Sequence, residues 1–222
     1  MNGEEMLKQY DTMGKDYVNY QRKFFSNKED WTRTKLRAEL KRVKGPVLDI
    51  GCSAGDDVKW CEGNGIEAFG IEPSETMYEL AKENVGHPEN IKIGGYENIP
   101  FSDNFFGLIM GRFSMHYLNK FSKAHREMAR TLKPGGKLLL AVSHPIFDTF
   151  TISRTREALV AVKLYGGKVT VTFPPHNITD YLSEEFMQLF DLKELDESAS
   201  IDAENPEQIP ETLFITAKKR QN

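Results

Sequence analysis

The chain has 222 residues, of which 39% are hydrophobic and 11% aromatic, and it carries a formal net charge of −4. This composition predicts a globular domain with a full hydrophobic core and argues against intrinsic disorder. The negative charge and the pI of about 5.8 argue against a general attraction to nucleic acid or to anionic lipid.

The sequence gives no sign of a membrane or secretory protein. No apolar run approaches the roughly 20 residues that span a bilayer. The acidic residues 1–5 lack the basic-then-apolar pattern of a signal peptide. Two cysteines, Cys52 and Cys61, are too few for a disulfide framework or a zinc site, so we interpret both as small buried residues. We therefore expect a cytoplasmic protein without a metal.

Two amphipathic helical segments are predicted before residue 45. In the first, apolar and aromatic side chains recur at three- and four-residue spacing, at Tyr10, Met13, Tyr17 and Tyr20. The second helix, around residues 31–43, is ended by Gly45-Pro46. Residues 1–44 are accordingly expected to form a helical N-terminal cap.

Five short apolar runs follow, separated by helix patterns. The predicted strands are 47–50, 68–71, 91–93, 106–110 and 138–142. Between them we predict a helix over 56–62, one capped by Ser74 that runs to about residue 84, and one capped by Ser122. Short, continuously apolar strands alternating with helices predict a doubly wound α/β fold with a parallel sheet covered on both faces.

The pattern changes after Ser143. Residues 145–180 contain many aromatic side chains and a predicted strand over 168–173. A helix near 179–189 precedes two further predicted strands, 192–197 and 212–219. These last two strands suit an antiparallel hairpin at the edge of the sheet.

The turn after the first strand carries the predicted chemistry, because ligands of such sheets bind beyond the carboxyl ends of the strands. Gly51 and Gly55 let the backbone turn sharply there and approach a ligand. Glu72, at the end of the second strand, can accept hydrogen bonds from both hydroxyls of a ribose. By itself Glu72 is equally well explained as a helix-capping acid, but together with the glycine turn the ribose interpretation is favoured.

A dinucleotide also presents a ribose, but its G-x-G-x-x-G fingerprint is absent. Ser53 and Asp56 occupy the second and third glycine positions. Moreover, Asp56 and Asp57 would face a pyrophosphate at the helix N-terminus, where like charges repel. A ligand without phosphate that carries an ammonium and a sulfonium is compatible with Asp49 and both of these acids.

Four segments resemble the class I S-adenosylmethionine-dependent methyltransferases, in particular their UbiE-like, or type 11, branch. They are VLDIGCSAG at 47–55, FGIEPSETM at 69–77, ENIPFSDNFF at 97–106 and LKPGGKL at 132–138. The resemblance implies a Rossmann-like, mostly parallel seven-stranded sheet. It divides the single domain 1–222 into the helical cap 1–44, a cofactor-binding core 45–143, an acceptor-site insertion 145–180 and a C-terminal helix and hairpin 181–222.

The resemblance also implies roles for individual residues in binding S-adenosyl-L-methionine and its product S-adenosyl-L-homocysteine. Asp49, Gly51 and Cys52 would face the methionine end and Glu72 the ribose. Pro73 and Met77 would lie against the adenine, with Tyr96 and Glu97 at its rim. The remaining implied cofactor contacts are Tyr17 (or Tyr10) as a lid, Ser53 and Gly55 in the turn, and Gly111 and Arg112 near the sulfonium.

Three positions depart from the family pattern. The usual middle glycine is Ser53, which requires a negative φ if serine is to be tolerated there. Gly95 replaces the usual acid before the adenine rim, which puts one contact to the adenine amino group in doubt. Gly107 stands where the branch normally has Asp.

Methyl transfer requires mainly placement of the acceptor and exclusion of water, and a base only if the acceptor must lose a proton. Three histidines lie at suitable places for proton transfer, namely His116, His144 and His176. For each one alone a structural role is the stronger interpretation. His87 and His125 are interpreted as solvated residues.

The acceptor is expected to be a small molecule, methylated at N, O or C. Residues 110–113 lack the Asn/Asp-Pro-Pro-aromatic motif of DNA N-methyltransferases, which argues against DNA. A tRNA acceptor stays open because the basic stretch 33–44 could touch phosphate, although a solvated helix face explains it better. A non-catalytic cofactor-binding protein is the second alternative, and both a monomer and a homodimer stay open.

Overall fold

The computed structural model describes residues 3–198 and 209–221. Its helices and strands alternate through the first two thirds of the chain, as predicted. The helices are α1 (Gly3–Phe25), α2 (Trp31–Leu40), α3 (Asp56–Gly63), α4 (Glu75–Asn84), α5 (Ser122–Thr131), α6 (Pro145–Thr155), α7 (Ile178–Tyr181) and α8 (Glu184–Leu189). The strands are β1 (Val47–Ile50), β2 (Ala68–Glu72), β3 (Ile91–Ile93), β4 (Phe106–Arg112), β5 (Leu132–Ser143), β6 (Val160–Leu164), β7 (Val169–Phe173), β8 (Phe190–Ser198) and β9 (Thr212–Lys219).

Seven strands form one sheet in the order β3-β2-β1-β4-β5-β9-β8. Strands β1 to β5 pair in parallel, whereas β9 is antiparallel to both of its neighbours, β5 and β8. The predicted α/β sheet with an antiparallel C-terminal hairpin is therefore confirmed. The order reverses between β1 and β4, which is where a ligand site is expected in this architecture.

The sheet is covered on both faces because alternate residues of each strand point to opposite sides. In β5, Leu138 and Leu140 enter one apolar cluster with α5 and α8, while Leu139 and Ala141 enter a second cluster with α2 and α3. All four side chains are fully buried. This burial on both faces explains why the strand reads as a continuous apolar run rather than an alternating one.

Residues 145–180 form a separate layer above the carboxyl ends of the sheet. Helix α6 is followed by β6 and β7, which pair with each other as an antiparallel hairpin outside the main sheet. The hairpin packs with Tyr17 and Val18 of α1 in a third apolar cluster. We call α1, α6 and the β6–β7 hairpin together the roof.

Several local predictions were wrong. Ser122 is the first residue of α5 rather than its cap, and Phe121 precedes it without a side-chain cap. The single helix predicted over 179–189 is two helices, since Ser183 accepts the amide of Phe186 and starts α8 anew. His125 is fully buried rather than solvated, because α8 covers that face of α5.

Among the described residues, no helix combines the length and the apolar character that a membrane-spanning segment requires.

Gly107 departs from the family pattern for a steric reason. A Cβ on Gly107 would lie 2.1 Å from the carbonyl oxygen of Lys44, a backbone atom that cannot rotate away. An aspartate at this position would therefore collide with the segment that leads into β1. Glycine at position 107 is therefore explained by the packing of the helical cap against β4 and not by the ligand site.

We expect Gly107→Ala to lower the free energy of unfolding by about 1–3 kcal/mol, the usual cost of overpacking, because the backbone at Lys44 must shift. Urea denaturation followed by circular dichroism measures this loss. Gly63→Ala is the matched control, since a Cβ there meets nothing within 4 Å and a helical alanine costs no stability. Equal denaturation midpoints for the two variants would contradict the packing argument.

Candidate functional site

A cavity of about 1180 Å³ opens at the carboxyl ends of β1, β2 and β4. Its floor is the sheet edge, and its other walls come from α1, α6 and the β6–β7 hairpin. Twelve of the residues predicted to serve the site border it: Tyr17, Asp49, Gly51, Cys52, Ser53, Glu72, Pro73, Met77, Tyr96, Glu97, Arg112 and His116. The predicted residues that do not border it are Gly55, Gly111, His144 and His176.

The turn after β1 holds its shape through three residues in the left-handed region. Gly51 and Gly55 both have φ of +73°, and Ser53 has φ of +50°. The requirement of a negative φ for Ser53 was therefore wrong, and this L-residue adopts a conformation that costs roughly 1–2 kcal/mol. A Cβ on Gly51 would lie 2.4 Å from Cβ of Ser114, so only glycine lets the turn approach the loop after β4.

Glu72 is fixed at the end of β2 by two backbone donors. One carboxylate oxygen accepts the amide of Ser53 at 2.8 Å, and the other accepts the amide of Ser74 at 3.0 Å. Burial raises the pKa of Glu72 to about 7, although these two hydrogen bonds lower it. Each oxygen keeps a lone pair that can accept a further donor, so the arrangement fits a pair of ribose hydroxyls at the cavity wall.

Asp49, on β1, is a buried carboxylate that accepts no hydrogen bond from any residue in 9–198 or 209–221. Burial and, to a smaller extent, the nearby charge of Asp57 raise its pKa to about 8, against the lowering effect of Arg112. An ammonium group in the cavity would reverse this penalty by pairing with the carboxylate. The site thus has a natural place for the amino end of an amino-acid ligand.

The acids that follow are neutralised by arginines rather than left free for a ligand. Asp57 contacts Arg33 at 3.1 Å, Arg37 at 3.3 Å and Arg112 at 3.6 Å. Asp56, at the start of α3, pairs with Arg22 of α1, whose NH2 lies 2.5 Å from the carboxylate.

Two sequence interpretations change as a result. Asp56 and Asp57 are balanced by arginines and therefore do not supply the free negative charge that was expected to repel a phosphate. Arg33 and Arg37 point inward to Asp57 instead of forming a solvated helix face. Lys41, Arg42 and Lys44 of the basic stretch 33–44 are exposed.

Gly111 lies behind the cavity wall and lets a tyrosine approach the sheet. A Cβ on Gly111 would lie 1.8 Å from the hydroxyl of Tyr96. That hydroxyl is 2.8 Å from Oγ of Ser114, which donates to the carbonyl of Ile50 at 2.7 Å. The loops after β3, β4 and β1 are thereby tied to one another. Gly55 also acts through packing, since a Cβ there would lie 2.9 Å from Val85.

The three candidate histidines lie in different environments, and only His116 borders the cavity. Its Nδ1 accepts the amide of Ser143 at 3.4 Å, and burial lowers its pKa to about 3. His144 caps α6 through Nδ1 and contacts Glu197 through Nε2 at 2.9 Å. His176 lies 2.8 Å from the carbonyl of His116, and burial lowers its pKa too. A neutral His116 can donate a hydrogen bond to a ligand, but it is a poor base near pH 7.

The roof closes the cavity with tyrosines. The hydroxyls of Tyr10 and Tyr117 are 2.5 Å apart, and the hydroxyl of Tyr165 lies 3.4 Å from that of Tyr17. Asp11 fastens α1 to the start of α4 by accepting from the hydroxyl of Ser74 at 2.5 Å. Both Tyr10 and Tyr17, the two predicted lid residues, therefore cover the ligand cavity together.

Sequence reasoning did not identify Ser143 and Asp148. Ser143 borders the cavity at the end of β5, and its hydroxyl donates to Asp148 at 2.5 Å. Asp148 lies in α6, a helix that was not predicted from the sequence, and no periodicity indicates that its one acid points inward. Only the fold places the two side chains together.

Comparison with known proteins agrees with this geometry. Residues 48–140 match the model of a family described as "Methyltransferase domain". This segment contains β1, Glu72, the loop after β3 and most of β5. The similarity to this methyltransferase family extends over residues 48–140.

Two curated proteins resemble the methyltransferase domain and its flanks. The uncharacterized methyltransferase YcgJ of Bacillus subtilis is 32% identical over 145 residues, which cover 61% of this chain and 57% of that protein. A demethylmenaquinone methyltransferase of Staphylococcus aureus is 31% identical over 132 residues, covering 57% and 55%. The chain thus spans little more than half the length of these relatives.

A structural neighbour extends the likeness of the fold beyond the methyltransferase domain. It is a putative S-adenosylmethionine-dependent methyltransferase from Listeria monocytogenes, with a TM-score of 0.65 and 20% identity, covering 83% of this chain and 97% of that one. At this identity the likeness establishes a shared Rossmann-like fold, including elements outside residues 48–140.

Proposed function

We propose that the chain binds S-adenosylmethionine and transfers its methyl group to a small-molecule acceptor. The observation that carries this proposal is a single cavity that joins the Glu72 carboxylate at the sheet edge to the apolar roof. A donor and an acceptor held in one closed space meet the main requirement of methyl transfer, which is in-line placement without water.

The residues present fit the proposed cofactor. Glu72 would accept the two ribose hydroxyls, and Asp49 would pair with the ammonium of the methionine end. Pro73, Met77 and Tyr96 would contact the adenine, which suits their apolar faces on the cavity wall. When bound, the cofactor supplies an activated methyl group on a sulfonium, and the product is S-adenosylhomocysteine.

The chain's own residues would bind, orient and shield the reactants. Tyr10 and Tyr17 of α1 would cover the methionine end, and the β6–β7 hairpin would exclude water from the acceptor. Opposite the sheet, Phe147 and Phe150 of α6 line the space left for the acceptor. We assign the segments 1–44, 45–143, 145–180 and 181–222 to the cap, cofactor core, acceptor roof and C-terminal edge on this basis.

A small acceptor is supported by the enclosed, apolar roof and by the demethylmenaquinone methyltransferase among the relatives. The two buried free thiols, Cys52 and Cys61, suit a reducing compartment such as the cytoplasm.

The test has two arms, binding and turnover. Isothermal titration with S-adenosylmethionine should give one site per chain, and S-adenosylhomocysteine should compete for it. Incubation with methyl-labelled cofactor and a small-molecule extract should then label an acceptor below about 1 kDa. Binding without any transfer would instead establish the non-catalytic alternative, and label in the RNA fraction alone would establish a tRNA acceptor.

A further inference from the structure

Asp148 is a buried acid without a cationic partner. It is the one buried residue of α6, and it is 0% exposed. Its carboxylate accepts from the hydroxyl of Ser143 at 2.5 Å and from the amide of His176 at 3.3 Å. Within residues 9–198 and 209–221, whose side chains the structure describes, no lysine, arginine or histidine forms an ion pair with it. Ionising a carboxylate in such a position carries a large desolvation cost in free energy.

The groups around Asp148 are neutral or point elsewhere. His116 and His176 have lowered pKa values because they are buried, and so both are neutral near pH 7. His144, which precedes α6, offers Asp148 only its backbone carbonyl. The carboxylate of Asp180 lies 3.9 Å from Nδ1 of His176. The hydroxyl of Tyr181 is buried and has no hydrogen-bond partner among the described residues. Burial raises the pKa of Asp148 to about 6, which is suitable for a base near neutral pH.

Ser143 connects this acid to the cavity. It ends β5 at the cavity wall, while Asp148 itself does not border the cavity. Because the serine hydroxyl donates to Asp148, its oxygen lone pairs are available to accept a hydrogen bond from a ligand. His116 accepts the amide of Ser143 at 3.4 Å, which fixes the backbone from which the hydroxyl projects.

We propose that Ser143 binds the hydroxyl of the methyl acceptor and relays its proton to Asp148. In this step an oxygen lone pair of the acceptor forms the new bond to the methyl carbon, and the carbon–sulfur bond breaks with its electron pair going to sulfur. The acceptor proton passes to Oγ of Ser143 as the serine proton passes to Asp148. Asp148 later returns the proton to solvent by the same route. The proposal rests on the proposed function.

The same geometry selects a class of acceptor, a hydroxyarene or a similar unsaturated hydroxyl compound. Phe147, Phe150, Tyr165 and Phe173 give the acceptor space aromatic walls. A phenolic hydroxyl has a pKa of about 10, within reach of a carboxylate base, whereas an alkanol is far weaker as an acid. An ammonium acceptor would need direct contact with the carboxylate, and Ser143 shields Asp148 from that contact.

Three matched probes test the class of acceptor: 2-naphthol, 2-(2-naphthyl)ethylamine, which is an ammonium near pH 7, and 2-(2-naphthyl)ethanol. With methyl-labelled S-adenosylmethionine, we expect transfer to 2-naphthol and at least tenfold less to the other two. Transfer to the amine alone would overturn the inference. So would binding of S-adenosylmethionine with no transfer to 2-naphthol. If the wild type did not bind the cofactor at all, the proposed function itself would fail, and titration calorimetry separates these cases.

Asp148→Asn and Ser143→Ala test the relay. We expect kcat for 2-naphthol to fall by about 10²–10⁴-fold in both, the usual contribution of proton transfer. Binding of 2-naphthol to the S-adenosylhomocysteine complex should change little in Asp148→Asn and weaken in Ser143→Ala, which loses the hydrogen bond to the acceptor hydroxyl. The wild-type rate should fall below about pH 6, where Asp148 becomes protonated, and Asp148→Asn should lose this dependence. A wild-type pH profile retained by Asp148→Asn would overturn the relay.

A structural role for Asp148 predicts a different set of results. If Asp148 only fastened α6, Asp148→Asn would lower the thermal midpoint and impair cofactor binding together with turnover. In the relay, the variant keeps its thermal midpoint at pH 7.5 or gains stability, because an ionised buried carboxylate is lost. Thr149→Ala, at the exposed neighbouring position of α6, is the control and should retain both turnover and pH profile.

Discussion

Glu72→Ala should weaken binding of S-adenosylmethionine by roughly 5–150-fold, equivalent to about 1–3 kcal/mol for the loss of two hydrogen bonds to one charged group. The expected loss has two sources. The ribose hydroxyls lose their acceptor, and the amide of Ser53 loses the oxygen that holds it at 2.8 Å. Because Ser53 has a strained φ of +50°, the turn after β1 is expected to relax and to separate Gly51 from the ligand.

Isothermal titration calorimetry measures this change directly. Glu75→Ala is the matched control, because Glu75 is an exposed acid three residues along, in the first turn of α4. It changes the local charge equally without touching the cavity. Similar affinities for the two variants and the wild type would show that the Glu72 carboxylate does not hold the ribose.

The same carboxylate should make cofactor binding pH-dependent. Burial raises the pKa of Glu72 to about 7 from an ordinary 4.5. Hydroxyl donors favour the ionised form, so binding should lower this pKa and release a proton near pH 7. Affinity should therefore fall as the pH drops below about 7. Calorimetry in two buffers of different ionisation enthalpy would detect the released proton, and identical heats in both would contradict it.

Stability without cofactor should follow the opposite trend. Since the folded-state pKa of Glu72 is raised, the folded protein binds the proton more tightly than the unfolded chain does. Its contribution to the free energy of unfolding is thus largest below about pH 4.5 and is lost as the pH rises to about 7. Asp49, with a pKa raised to about 8, acts in the same direction. The site is therefore arranged for ligand binding at the expense of stability.

The sequence was sufficient to predict the edge of the sheet at which the cavity opens and most of the residues that border it there. The strand order of this fold brings the turn at 51–55 and Glu72 together, because the carboxyl ends of neighbouring parallel strands lie at one edge. Both features follow short apolar runs that periodicity identifies. Residues that act through local, strand-end placement can thus be predicted from a single sequence.

The acceptor side could not be predicted in the same way. Ser143 and Asp148 come into contact only because of the direction of α6. Whether His116 and His176 can act as bases depends on the burial that the roof creates. Likewise, the pairing of Asp57 with Arg33 and Arg112 depends on how the N-terminal cap packs on the sheet. Long-range packing, rather than local pattern, decides which of these polar groups face a ligand and which are neutralised.

Arg112→Met should cost about 3–5 kcal/mol of stability, since it leaves the largely buried carboxylate of Asp30 without its ion-pair partner and removes one of the three arginines around Asp57. Arg112 is 12% exposed in its side chain and contacts Asp30 at 3.2 Å and Asp57 at 3.6 Å. Burial alone would raise the pKa of Asp57, but Arg33 and Arg112 bring it below its ordinary value. Urea denaturation at pH 7.5 measures the loss.

Arg126→Met is the control, because Arg126 is 59% exposed and pairs with Glu185 at the surface. An exposed pair of this kind contributes at most about 1 kcal/mol. A comparable loss of stability in both variants would show that the buried ion pairs of Arg112 contribute no more than an exposed pair does.

The Arg112 variant also has an expected pH signature that ties stability to the site. With its pKa depressed, Asp57 stabilises the wild type above the ordinary value of about 3.8, and this contribution is lost as the pH falls through the lower folded-state value. Removing Arg112 weakens that contribution and also raises the pKa of Asp49 further, since Arg112 lowers it in the wild type. Arg112→Met should consequently bind S-adenosylmethionine more weakly than the wild type at neutral pH, because ionising Asp49 to pair with the ammonium becomes more costly. Equal affinities of the variant and the wild type at pH 7.5 would mean that Asp49 does not pair with the ammonium of the cofactor.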